Sequence, residues 1–221
     1  MNTILFDIDM TLITTNGAGR ATIKSTLKAV LGNATPMESI SVHGKTDSWI
    51  YTEALKQLGI KVEPKVLQTL YETHIKLLPQ ELENRDGKIL NGVTSLLQKL
   101  SQQPVTLGLA TGNLAKGAEI KLQHFGLWER FTGGGFGDLH KERPDIVQEA
   151  LQSCGSEASN TIVIGDTPWD ISSGKAIGTR TIGVTTGIFG KEELAENGAD
   201  LIVDTLEATE ELFEFLLARN Y

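Results

Sequence analysis

Asp7 and Asp9 stand two residues apart, directly after the short apolar run Thr3-Ile4-Leu5-Phe6. Side chains at i and i+2 of an extended segment project to the same side. One such carboxylate can attack an electrophile while the other handles a proton. Carboxylates are recognised nucleophiles, forming an aspartyl-phosphate that divides one displacement into two. The leaving alkoxide then needs a proton, and the attacking water must later lose one. Asp9 is placed to do both. Asp166 and Asp170 follow a second apolar run, Thr161-Ile162-Val163-Ile164, and Thr111 ends a third, Val105–Ala110. A single Asp after a strand is usually a helix cap or turn residue. Several on one edge of a sheet repel one another, so a divalent cation is their natural partner. Magnesium suits a site of few carboxylates, a carbonyl and waters.

The apolar runs read as buried strands, with residues 181–184 and 201–203 as weaker candidates, and helical stretches separate them. That alternation predicts an α/β chain, a Rossmann-like parallel sheet core with helices on both faces. In open parallel sheets ligands bind beyond the carboxyl ends of the strands, which is where the acidic residues fall. Helical spacing runs over 93–100, over 115–125 with Gly126 as its stop, from Pro144 through Leu151, and from about 206 to 218. Between the first two strong strands, residues 19–31, 47–58 and 63–78 all have helical periodicity. The expectation is an inserted helical subdomain over 15–85, with the core formed by 1–14 and 86–221. Gly133-Gly134-Gly135 lacks the GxxxxGK[ST] phosphate-loop pattern and reads as a flexible turn. His74, His124 and His140 have no metal spacing and read as ordinary surface or core residues. Trp169, inside the acidic motif, reads by default as core packing, with packing beside the site as the alternative.

Taken together, Asp7-Ile8-Asp9-Met10-Thr11, Leu107-Gly108-Leu109-Ala110-Thr111-Gly112-Asn113 and Ile164-Gly165-Asp166-Thr167-Pro168-Trp169-Asp170 occur in a telling order. The chain resembles the haloacid dehalogenase superfamily, and within it phosphatases similar to phosphoglycolate phosphatase. The resemblance implies that Asp7 attacks phosphorus and ligates Mg2+. It implies that Asp9 is general acid/base and lends its carbonyl to the metal, that Asp166 is the third protein ligand, and that Asp170 supports the metal shell. Thr111, with Gly112 and Asn113 beside it, would supply donors to the phosphoryl oxygens, the electrostatic stabilisation phosphoryl transfer needs. The family's third motif is a basic residue, and both Lys141 and Arg143 stand in this region. Arg143 is preferred because it precedes Pro144, as the family's basic residue commonly precedes a proline; its guanidinium can hold Asp7 and the phosphoryl group together. Met10 stands where related phosphatases commonly carry glycine.

The resemblance also makes residues 15–85 a cap over the active site. His43-Gly44-Lys45-Thr46-Asp47 resembles a stretch found in such caps. There Lys45 meets an anionic group on the substrate, or else Thr46 or Asp47 simply caps the next helix. Arg20 is a second basic candidate, also readable as a surface helix charge. The implied partner is a small phosphorylated metabolite.

Composition narrows the field. A chain of 221 residues with 40% hydrophobic and 22% charged residues suits a folded globular protein. The formal charge of -8 is a poor footprint for nucleic acid. Cys154 is the one cysteine, so no internal disulfide forms, and a reduced cytoplasm is the simple reading. The first residues are too acidic for a signal peptide, and no run approaches the roughly 18 apolar residues of a membrane span. Oligomeric state is left open. Among rival functions, a dehalogenase has no need of a second carboxylate such as Asp9. A phosphonatase would need a cap lysine forming a Schiff base. A phosphomutase shares the motifs, and a non-catalytic binding protein shares the fold.

Overall fold

The strand at the centre of the molecule is apolar on both faces. In β1 (Asn2–Phe6) every residue is buried. Ile4 and Phe6 point into one hydrophobic cluster and Leu5 into another, as the two-residue period of a strand requires. The first cluster lies under α4 (Val93–Leu100), α5 (Ala115–His124) and α9 (Glu210–Leu217). The second lies under α6 (Arg143–Cys154). The computed structural model describes residues 2–138 and 142–218. His140 and Lys141 therefore lie outside the described residues.

The main sheet is parallel, in the order β5-β4-β1-β6-β7-β8. Its other strands are β4 (Val105–Ala110), β5 (Gly134–Gly135), β6 (Thr161–Gly165), β7 (Arg180–Val184) and β8 (Leu201–Val203). Leu107 and Ile162 flank Ile4 in register. The chain builds outward from β1 through β4 and β5, then crosses to β6 on the other side. That reversal opens a crevice at the carboxyl end of β1. The helices α7 (Pro168–Ile177) and α8 (Lys191–Glu196) complete the layers.

A separate helical segment leaves and re-enters the sheet layer through β2 (Ile13–Thr14) and β3 (Lys88–Ile89), which pair antiparallel. It comprises α1 (Ala18–Leu31), α2 (Asp47–Gln57) and α3 (Pro64–Glu83). These helices bury a cluster of their own, including Ile23, Leu27, Ile50, Tyr51, Leu55 and Leu70. A small second contact, Ala18, Leu78 and Leu82 against Ile120, seats the segment on α5.

Three expectations need correction. Gly134–Gly135 is an edge strand rather than a turn, and a Cβ at Gly135 would overlap the backbone of α6. Glycine here lets a helix close on the sheet. The last helix begins at Glu210, not near 206, because the Thr209 hydroxyl accepts the Leu212 N–H and caps it there. The third helix continues past 78 to Glu83 with Pro79 inside it. The hydrogen bond that proline forfeits is offset by burial of Leu78 and Leu82 on the same face.

His74 is buried on α3, where its Nδ1 shares a 2.8 Å hydrogen bond with the Tyr51 hydroxyl. Burial, helped by the charge of Lys121, holds its pKa down at about 3, so the ring is neutral. Cys154 is half-buried, and burial pushes its thiol up. No helix among the described residues is long and apolar enough to cross a membrane.

Candidate active site

Three strand ends with their following loops meet at the crevice. Asp7 and Asp9 follow β1, Thr111 follows β4, and Asp166 follows β6. One carboxylate oxygen each from Asp7, Asp166 and Asp170 lies within 4.8 Å of the others. At that separation two charges repel by about 3 kcal/mol for an effective dielectric near 20. Burial first, then the charge of Asp170, pushes Asp7 up to about 7. The same causes, with Asp7 adding its charge, push Asp166 to about 9. This excess of buried negative charge on oxygen ligands fits a hard divalent cation. The Thr11 hydroxyl stands 3.5 Å from Asp166 Oδ1.

Arg143 is the opposing charge. Proline at the start of α6 begins the helix there, and the guanidinium turns inward. Nη1 pairs with Asp170 Oδ1 and lies 3.9 Å from Asp7 Oδ1, while Nε donates to the Gly44 carbonyl at 3.2 Å. Its carboxylate neighbours raise its pKa against the opposing effect of burial, so it stays charged. Asp170 has its other oxygen occupied: Oδ2 accepts from the Thr167 hydroxyl at 2.6 Å and from the Thr167 N–H at 3.0 Å. That capping box starts α7 and fixes the carboxylate that holds Arg143.

On the other side of Asp7 lies a residue the sequence reading missed. Lys121, buried on α5, donates to Asp9 Oδ2 and to Asn113 Oδ1, each at 2.6 Å. Asn113 Nδ2 donates to Asp9 Oδ2 and to Thr111 Oγ1, both at 2.8 Å. Thr111 is fully buried, and its hydrogen bond lowers the Asp7 pKa. The available signal was a lysine on the apolar stripe of α5, three residues after Ala118 and beside Leu122.

The helical segment closes the crevice. Asp47, which the sequence suggested only as a cap, is buried and accepts the Leu114 N–H at 2.9 Å; its own N–H donates to the Gly112 carbonyl at 2.8 Å. Burial pushes Asp47 up to about 6. Thr46 is the residue that caps α2, accepting the Trp49 N–H at 3.1 Å. Lys45 Nζ lies 5.0 Å from the ring centres of both Trp49 and Trp169. Gly44 has φ of 66° and packs on Trp169 so closely that a Cβ would overlap the indole. Trp169 thus packs between segment and sheet rather than in the core. Arg20 donates to the carbonyls of Met37 and Ile40. Met10 takes φ of 62°, the left-handed conformation that suits glycine. The cavity between helical segment and sheet is about 320 Å³ and is lined by Asp7, Asp9, Lys45, Lys121, Arg143 and Asp166, among others.

The chain that builds this arrangement, carboxylates after β1 and β6 answered by one arginine beneath a helical segment, is similar to known proteins. Residues 4–184 match the family model described as haloacid dehalogenase-like hydrolase. The pyrophosphatase PpaX of Bacillus pumilus is 29% identical over 207 residues, which cover 92% of each chain. A Dickeya dadantii protein named "Probable phosphatase IndB" is 28% identical over 207 residues, covering 91% of this chain and 89% of that one. Among solved structures, CbbY from Rhodobacter sphaeroides in complex with phosphate superposes with a TM-score of 0.74 at 18% identity, over 94% of this chain and 96% of that one. The chain belongs to the haloacid dehalogenase-like hydrolase family. It is an enzyme of the phosphatase type within that family.

Proposed function

We propose that the protein is a magnesium-dependent phosphatase of a small phosphorylated metabolite, acting through an aspartyl-phosphate on Asp7. The observation that carries this is the convergence of Asp7, Asp166, Asp170 and Arg143 at the floor of one cavity. Asp7 attacks phosphorus while Asp9 gives a proton to the departing oxygen; Asp9 then takes a proton from the water that splits the phospho-enzyme. Arg143, held by Asp170, keeps a positive charge beside Asp7 where the phosphoryl oxygens gather charge. Thr111, with Gly112 and Asn113, frames the opposite side. The carboxylates of Asp7 and Asp166 and the carbonyl of Asp9 suit Mg2+, which when bound would neutralise charge on carboxylates and phosphoryl oxygens. Residues 15–85 act as a cap that excludes water and meets the leaving group through Lys45. A cytoplasmic location is the companion reading from the single cysteine.

The names of relatives favour one second reading of the substrate, inorganic pyrophosphate. Phosphate release from pyrophosphate, phosphoglycolate and a set of sugar phosphates separates the two, with and without exhaustive chelation. Asp7→Asn should be inactive on every substrate while keeping its fold, and chelation should silence the wild type. Near-normal turnover by pure Asp7→Asn protein overturns the nucleophile, and an unchanged rate after chelation overturns the metal.

A further inference from the structure

We infer that Lys121 is a positioning residue that fixes the working oxygen of Asp9. The inference deepens the proposed reaction and rests on Asp9 being its acid/base. Asp9 is the most solvent-accessible acid of the site, its side chain 37% exposed toward the cavity. A short carboxylate there has rotamer freedom that a proton donor must not have. Two donors meet the same oxygen: Lys121 Nζ at 2.6 Å and Asn113 Nδ2 at 2.8 Å, both on Oδ2. Lys121 also closes on Asn113 Oδ1 at 2.6 Å, so carboxylate, ammonium and amide form a ring. Asn113 extends that ring to Thr111. Among the described residues no hydrogen bond reaches Asp9 Oδ1. The ring therefore leaves Oδ1 as the oxygen that exchanges the proton.

The placement is specific to this fold. Lys121 is only 4% exposed at its side chain and stands 112 residues from Asp9 in the chain. It reaches Asp9 because α5 passes beneath the first turn of α1. There Gly19 lies so near that a Cβ on it would sit 3.3 Å from Nζ. The helical segment thus holds the ammonium down from above as Asn113 holds it from the side. Such alignment within a few tenths of an ångström is what proton transfer in a displacement demands.

The chemical step shows what to measure. As the Asp7–phosphorus bond forms and the ester P–O bond breaks, the proton on Asp9 Oδ1 passes to the departing oxygen. An alkyl ester needs that proton; a 4-nitrophenyl ester departs as a stable anion without it. Lys121→Ala should lower kcat/KM for an alkyl phosphate by about ten- to hundredfold, a part of the roughly 10²- to 10⁴-fold that a positioned acid supplies. It should change kcat/KM for 4-nitrophenyl phosphate by less than about threefold, because kcat/KM reports only the steps through departure of the leaving group, whereas kcat also contains hydrolysis of the shared phospho-enzyme, in which Asp9 is the base for both esters. Ethylammonium should restore part of the alkyl rate through the space left. Equal losses of kcat/KM on both esters, or no loss on the alkyl ester, overturns the assignment. Should Lys121→Ala fail to fold, Lys121→Met keeps the buried stem and removes only the ammonium. It must show the same preference for the aryl ester, or the inference falls. Activity remaining in Asp7→Asn would instead overturn the reaction on which this rests.

Discussion

The floor of the cavity and its roof are built by opposite means. On the floor, charged side chains are fixed by other charged or polar side chains: Arg143 by Asp170, Asp170 by the Thr167 capping box, Asp9 by Lys121 and Asn113. On the roof, the helical segment has its own apolar cluster and touches the site through the Gly44 carbonyl, through Asp47 on the main chain of Gly112 and Leu114, and through one clamped lysine. A floor of this kind resists rearrangement, since losing one partner leaves a buried charge exposed to the others. A roof held by a paired ribbon and a few contacts can be displaced without unfolding its own core. The contrast predicts that loss of the charge facing Asp7 reduces turnover of every ester, that loosening Asp9 discriminates only by the leaving group's need for a proton, and that roof substitutions discriminate by the rest of the substrate.

The largest effect should come from Arg143→Ala. It removes the positive charge facing Asp7 and strands Asp170 without its partner. Loss of one transition-state donor in a closed site costs about 10²- to 10³-fold in kcat, and the loss should be similar for metabolite and aryl phosphate. Arg143→Lys keeps the charge but cannot span Asp170 and the Gly44 carbonyl together, so it should recover little. A mild, substrate-selective effect would erase the distinction between floor and roof.

The roof's counterpart is Lys45→Ala. Its ammonium sits between two indole faces at the cavity wall, aimed by Trp49 and Trp169. A lost charge-assisted contact to the substrate is worth about 1.5–3 kcal/mol, or roughly ten- to more than hundredfold in kcat/KM. That loss should appear with the preferred metabolite and be small with an aryl phosphate, which offers no second anionic group. Equal losses on both would move Lys45 into the general machinery.

The floor was far more legible in the sequence than its bracing. Asp7, Asp9, Thr111 and Asp166 announce themselves because each ends a short apolar run, and a parallel sheet brings such ends together. Arg143 was reached through the proline that follows it. Lys121 was hidden because its partner is 112 residues away and its own helix reads as plain amphipathic spacing. Asp47 looked like one more helix cap, since only tertiary packing buries it against Leu114. The two-residue strands β2, β3 and β5 are too short for a period to register. Pro79 concealed the end of α3 because the packing that offsets a proline is invisible locally.

Acid should strain the junction of roof and floor through His74. Its folded pKa of about 3 lies below the ordinary 6.5, chiefly by burial. Protonation therefore favours the unfolded chain. The stability it contributes is full above pH 6.5 and is lost as pH falls toward 3, at about 1.4 kcal/mol per unit. Raised pKa values at Asp7, Asp47 and Asp166 act with the opposite slope, so the comparison must be with His74→Gln, which shares them. Urea unfolding at pH 7.5 and 5 should show wild type losing about 2 kcal/mol relative to the variant. An unchanged difference would mean that the ring takes up its proton in the fold as readily as in the unfolded chain.

The smallest effect concerns Met10, which joins the two acidic residues to the ribbon leading to the roof. Its φ of 62° costs an L-residue roughly 1–2 kcal/mol, and glycine would relieve that strain. Glycine also gives the unfolded chain more freedom, which returns roughly 0.5–1 kcal/mol. The backbone is otherwise well held: the Met10 N–H donates to the Ile13 carbonyl at 2.7 Å and the Thr186 hydroxyl donates to the Met10 carbonyl. Met10→Gly should therefore leave stability between unchanged and about 1 kcal/mol higher. With its side chain gone from the cavity wall, larger esters should gain in kcat/KM over small ones while kcat stays level. Destabilisation beyond about 1 kcal/mol would show that side-chain packing at the wall outweighs the backbone strain, placing Met10 with the braced floor rather than with the roof.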